Sequence, residues 1–275
     1  MQQPDRARER TIVAATFGAL AGALLLGLYA RRWLPAMPDG LAFALYLGGG
    51  LLPIALALRV VHRLPWRELP RELGFDRSPW TGLGAALLLT APMVLGFALL
   101  EPGLRLEPTE LAVVRQRPFA FVEAWAGAGL VEETLFRGFL FRQLVRRANW
   151  SDGRAMAACG LLFGLLHIPA NRGAPAGELA AAAAITAVGG AAFCWFLREW
   201  DWNLWFVIGW HAFVNLWWMA GDGGGTTGHP RANALRLLVV ALTVGVTMNR
   251  RRLPTWLGGR GSERADDAGG NGSES

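Results

Sequence analysis

The chain has 275 residues, 53% of them hydrophobic and only 17% charged, against about a quarter charged in ordinary soluble domains. Its net charge of +6 rests on 27 basic side chains that are all arginine, clustered between apolar blocks rather than along one face. That distribution argues against a nucleic-acid surface and for membrane topology. The two cysteines, Cys159 and Cys194, make neither a disulfide framework nor a CxxC metal pair, so small-residue packing is their expected role.

Eight apolar segments come near the ~20 residues that a bilayer core requires. They run over 11–30, 41–61, 80–100, 118–137, 154–171, 178–197, 203–220 and 232–249, after an N-terminal segment at 1–10. The first is too long for a signal-peptide core and is followed by Arg31 and Arg32, so it reads as an uncleaved anchor. Pro53 and Pro92 fall inside the second and third segments, where neighbouring helices can re-satisfy the backbone. Gly18 with Gly22, and Gly160 with Gly164, have the spacing that lets helices approach closely. Residues 62–79 mix Trp66, Leu69, Leu73 and Phe75 with charges and are expected along the inner interface. The fourth segment is expected to continue as helix to about Arg147. Trp200, Trp202 and Trp205 at one end of the seventh, and Trp217 and Trp218 near the other, suit interfacial belts. The tail 251–275 is Gly-, Ser- and charge-rich and reads as disordered.

With the N-terminus inside, nineteen arginines fall on the cytoplasmic side and eight on the other. The positive-inside rule therefore predicts an all-α polytopic membrane protein of about eight transmembrane helices with both termini cytoplasmic. One helical membrane domain over 11–250 would carry the polar motifs in 118–220. Arg, Ala and Gly richness without lysine suits a GC-rich bacterial genome, hence a multi-pass inner-membrane protein.

Ionisable residues inside spans are costly, about 2.5–3.5 kcal/mol at a helix centre, and turn to a bundle interior or cavity. The fourth segment carries Glu132-Glu133-Thr134-Leu135-Phe136-Arg137. On a helix Glu133 and Arg137 are four apart and can pair, while Glu132 points to another face. A helix running into the cytoplasm with charges at its end explains that motif alone about equally well. His167 closes Phe163-Gly164-Leu165-Leu166-His167 in the fifth segment. His211 and Asn215 share one face of the seventh in His211-Ala212-Phe213-Val214-Asn215. Singly, each is more often a helix–helix hydrogen bond. Together, a carboxylate, two imidazoles and a carboxamide on three helices can activate water and bind an oxyanion. His62 and His229 read as solvated, and Gly221-Asp222-Gly223-Gly224-Gly225 lacks the ending of a phosphate loop, so no nucleotide cofactor is expected.

EETLFR, FGLLH and HAFVN in that order resemble the signature of the CPBP family, EExxxR, FxxxH and HxxxN or HxxxD. These are intramembrane proteases related to the eukaryotic CAAX-prenyl endopeptidase and to bacteriocin self-immunity (Abi) proteins. The resemblance covers about residues 60–220 and implies an endopeptidase acting on membrane-associated peptides or proteins. It implies Glu132 as the catalytic carboxylate, His167 as its partner on the attacking water, and His211 with Asn215 at the oxyanion. Glu133, Arg137 and Phe163 would support the site. A desolvated glutamate suits a general base near neutral pH. Zinc or another divalent metal on Glu132, His167 and His211 would match the three protein ligands of a catalytic centre. Two rival readings use the same residues: a non-catalytic immunity or peptide-binding protein, and a proton-coupled transporter.

Overall fold

Apolar stretches bounded by Ser, Pro and Gly fold into nine α-helices in the computed structural model, which describes residues 6–33, 39–100, 123–168, 175–222 and 230–252. Among the described residues there is no strand. The helices are α1 (Arg6–Trp33), α2 (Asp39–Val60), α3 (Leu69–Leu73), α4 (Pro79–Leu100), α5 (Arg142–Arg146), α6 (Asp152–His167), α7 (Ala176–Glu199), α8 (Leu204–Asp222) and α9 (Pro230–Met248). Between α4 and α5 lies a wider helix, π-helical over Glu123–Glu132 and Thr134–Phe141. Bonding from i to i+5 is rare beyond a single turn, and short π segments concentrate at functional sites. The wide helix continues directly into α5, as a helix reaching Arg147 requires.

Within the described residues each of the eight expected spans overlaps a helix, and residues 118–122 and 169–171 of two of them lie outside the described residues. Among the described residues four helices are long and apolar enough to cross a membrane, over Ala7–Leu26, Phe43–Val60, Pro79–Leu99 and Ala176–Glu199. Their outward faces expose Leu25, Leu52, Leu88, Leu99, Ile185 and Val188, surface that is stable against hydrocarbon and costly against water. The tail beyond 252, His229 and residues 223–225 lie outside the described residues.

Local chemistry sets the helix ends. Ser151 caps α6 by accepting from Arg154 N–H, with Asp152 in the first turn. Gly74 ends α3 at φ 97°, the left-handed conformation that glycine adopts without penalty. Its N–H and that of Phe75 both return to Pro70 O. The segment after α2 is then clamped onto the end of the wide helix. Glu72 Oε1 accepts from Gln143 Nε2 at 3.1 Å and from Arg147 Nε at 3.0 Å, and Arg142 Nη2 donates to Arg71 O at 3.0 Å.

Burial opposes ionisation of Glu72, but the bonds from Arg147 and Gln143 outweigh it and hold the carboxyl below its ordinary 4.5. The stability it contributes is present above pH 4.5 and drains away as pH falls through the lowered folded value. Glu72→Gln should therefore flatten the acid limb of stability against pH, measured by thermal unfolding in detergent between pH 3 and 6. An unchanged acid limb would mean that the clamp is thermally irrelevant.

Small residues and tryptophan N–H groups join the helices. At Gly160 a Cβ would collide with Ala187 O, and at Gly164 with Ala183 O, so α6 and α7 touch through their backbones. Gly22 makes ordinary contact with Pro53 across α1 and α2, and Gly18 has open space beside it. The expected close approach is real for the second glycine pair and absent at Gly18. Gly164→Val should cost about 1–3 kcal/mol through overpacking, seen as a lower thermal midpoint, whereas Gly18→Ala should leave it unmoved.

Three indole N–H groups bond threonine hydroxyls on other helices: Trp217 to Thr90 at 3.1 Å, Trp210 to Thr243 at 2.9 Å and the Trp200 indole to Thr247 at 3.0 Å. The belt reading of the tryptophans needs correction. Trp200 and Trp202 are buried, and Trp200 stacks on Phe206 at 3.8 Å. Each therefore finds its partner in the core rather than among headgroups.

The wide helix sits at the centre. It packs against α1, α2, α3, α6, α7 and α8, and every residue from Thr134 to Phe141 is buried. Its buried charges, Glu133 and Arg137, turn to the bundle interior, where an intramembrane charge is least costly.

Candidate active site

Glu133 and Arg137 are both wholly buried, and the guanidinium donates from Nη1 to Glu133 Oε1 at 3.0 Å. Nη2 reaches across to α7 and donates to Gly190 O at 3.2 Å. The guanidinium carbon also lies 4.3 Å from the Phe163 ring centroid and 5.0 Å from that of Phe193. One side chain thereby ties the wide helix to α6 and α7 by charge, hydrogen bond and cation–π attraction. The pairing of Glu133 with Arg137 is the one their spacing predicts. The Phe163 ring also contacts the His167 imidazole at 4.6 Å and the Phe136 ring at 5.0 Å.

The same Glu133 oxygen accepts from His211 Nδ1 at 2.7 Å. The spacing arguments gave Glu133 only Arg137, so this link to α8 went unforeseen. The helices can come this near because Gly129 has no side chain: a Cβ there would stand 2.9 Å from Ala212 Cβ and 2.9 Å from Ile208 O. Glu133 Oε1 acts only as an acceptor, so Nδ1 of His211 carries a proton. The neutral ring presents Nε2 as a lone pair, and the imidazolium presents it as a donor.

His167 makes the matching arrangement within its own helix, with Nδ1 2.7 Å from Phe163 O. A carbonyl only accepts, so Nδ1 again holds the proton and Nε2 carries the lone pair of the neutral ring. Glu132 is partly exposed where Glu133 is sealed. It lies within electrostatic reach of both His211 and His167. Among the described residues no hydrogen bond joins it to either imidazole. Asn215 is partly buried one turn beyond His211 on α8.

The chain segment with this geometry can be compared with known proteins. Residues 115–217 match the Rce1-like family, described as type II CAAX prenyl endopeptidase Rce1-like. This is the protease family that the three motifs resemble. No curated protein and no solved structure matches the chain. The matched region holds Glu132, Glu133, Arg137, Phe163, His167, His211 and Asn215, and leaves α1, α2, α3, α4 and α9 outside it.

A metal ion here would call for three protein side chains converging on one point. The bond from His211 Nδ1 to Glu133 has the form that orients metal-bound imidazoles. Yet among the described residues no three His, Cys, Asp or Glu side chains gather as an ion would require. In this arrangement Glu132, His167 and His211 do not fit one, so no step below is routed through a metal. Cys159 and Cys194 are free and buried, as a packing role requires.

The Gly190 carbonyl and Phe193 escaped sequence reasoning. A main-chain acceptor has no signature, and Phe193 lies in an unremarkable apolar run. Only the doublet Gly189-Gly190 hinted at close packing there.

Proposed function

We propose that the chain is an intramembrane endopeptidase that hydrolyses peptide bonds of membrane-associated peptides or proteins, with the residues of the Rce1-like region as its machinery. One observation carries this reading. The buried Glu133–Arg137 pair, bonded to the partly buried His211, lies beside Glu132, which is within charge range of both imidazoles, inside the segment that matches an endopeptidase family.

Glu132 takes a proton from water as general base, and the resulting hydroxide attacks the substrate carbonyl. His167, with Nε2 carrying its lone pair, orients that water. Asn215 donates to the oxyanion, and His211 does so as imidazolium, its charge supported by Glu133. The proton held by Glu132 passes to the leaving amine as the tetrahedral intermediate collapses. Water attacks directly, so no acyl-enzyme forms.

The setting proposed is a bacterial inner membrane crossed about eight times with both termini cytoplasmic. The arginine distribution supports that orientation. The test is cleavage of a candidate membrane peptide by protein purified into liposomes, wild type against Glu132→Ala and His167→Ala. Turnover undiminished in both variants removes the assignment. Substrate binding without cleavage by wild type would favour an immunity-type binding protein, and proton-coupled flux would favour a transporter.

A further inference from the structure

His211 is held by hydrogen bonding at one edge. Its Nδ1 donates to Glu133 Oε1 at 2.7 Å, which fixes one atom of the imidazole and leaves the plane of the ring open. The last torsion of a histidine side chain joins sp³ to sp² carbon, so its wells are broad and roughly two-fold. A ring pivoting on one bond would swing Nε2 away from the place where an oxyanion forms. A second contact has to set the plane.

Phe193 of α7 makes that contact. Its ring centroid lies 5.6 Å from that of His211, with the planes tilted by 53°, and among the described residues no other aromatic ring touches this imidazole. The same phenyl ring stands 5.0 Å from the Arg137 guanidinium carbon and packs edge-on against Trp210 at 5.1 Å. Both donors to Glu133 Oε1, one from Arg137 and one from His211, therefore rest against a single ring. Tilted ring pairs and cations beside a ring are both attractive. His167 is built the same way. Its Nδ1 is bonded to Phe163 O, and the Phe163 ring leans on it at 4.6 Å and 55°. There both contacts come from one residue a turn earlier on α6. For His211 they come from two other helices, so no local motif announces them.

We propose that Phe193 is a positioning residue: it sets the plane of the His211 imidazole, keeping Nδ1 on Glu133 and Nε2 turned to the site. It does for His211 what Phe163 does for His167. Its part in turnover rests on the endopeptidase reading, whereas the hold on the ring does not. A catalytic group displaced by about 1 Å can lose about 10²-fold in rate, so a loosened ring should be felt in kcat.

The test uses the full chain in detergent, as wild type, Phe193→Leu and Phe193→Tyr. Leucine keeps apolar bulk but has no flat ring, and tyrosine restores the ring. The first readout is the imidazole N–H signal of isotope-labelled histidine by nuclear magnetic resonance, assigned to His211 by its absence from His211→Gln. The second is kcat and KM on a membrane peptide that wild type cleaves. Wild type and Phe193→Tyr should give one sharp Nδ1–H line. Phe193→Leu should broaden or lose it, with kcat lower by up to about 10²-fold and KM near wild type. A residue that only packs would lower the thermal midpoint and leave the line and kcat of the folded protein unmoved. A sharp line in Phe193→Leu, or a line lost in both variants, would overturn the proposal. A lost line at unchanged kcat would overturn its part in turnover. No cleavage by wild type, with the line lost in Phe193→Leu alone, would remove the endopeptidase reading and uphold the hold on the ring.

Discussion

Glu132→Gln should abolish most peptide hydrolysis while leaving the helical bundle intact. The amide keeps the size and polarity of the side chain but cannot accept the water proton, so kcat should fall by about 10²–10⁴-fold, the usual worth of a positioned general base. Among the described residues the Glu132 side chain has no hydrogen-bond partner, and glutamine preserves its shape and polarity. Thermal stability and substrate affinity should therefore stay near wild type, measured by unfolding in detergent and by peptide binding. His211→Gln is expected to slow turnover as well, through lost stabilisation of the oxyanion. If Glu132→Gln turned over substrate as fast as wild type while Glu133→Gln did not, the base would have to be reassigned to its neighbour.

The largest stability effect should come from Arg137. Both members of the Glu133–Arg137 pair are sealed from solvent, so Arg137→Ala leaves a carboxylate in the core with only His211 to answer it. Removing one partner of such a pair typically costs about 3–5 kcal/mol. It would also strip away the bond to Gly190 O and the contacts with Phe163 and Phe193. Glu133→Ala should be comparably damaging, leaving an unanswered guanidinium. The double replacement Glu133→Leu with Arg137→Met should be less destabilising than either single alanine variant, because no lone charge is left behind. Chemical unfolding in detergent reads all three. Single variants as stable as wild type would mean that the pair contributes nothing to the fold. Activity separates positioning from mere stability: Arg137→Lys restores a cation but not the forked contact, so it should recover stability better than turnover.

Hydropathy was legible along the whole chain, because apolar length is a local property. Within the described residues each of the eight segments overlaps a helix, four of these helices are long and apolar enough to cross a membrane, and Glu133 with Arg137 pair as their spacing requires. Properties set by contacts between distant segments were not legible. Trp200 and Trp202 looked interfacial by position, yet their surroundings in the fold bury them. Gly18 and Gly164 share a spacing pattern, and only the second meets a neighbouring backbone. The link from Glu133 to His211 spans 78 positions of sequence, and no periodicity encodes it. The wide hydrogen bonding of residues 123–141 was equally hidden, since π and α turns draw on the same residues.

The grip of Arg137 on α7 falls on a main-chain oxygen, and that choice reaches beyond the site. A carbonyl is present whatever residue follows or precedes it, so the anchorage is indifferent to the composition of that helix's outer stripe. Residues such as Ile185 and Val188 can be exchanged for others of similar oiliness, to suit thicker or thinner bilayers, without loosening the hold of Arg137 on that helix. Tolerance of the rim and intolerance at the hub would thus share one cause.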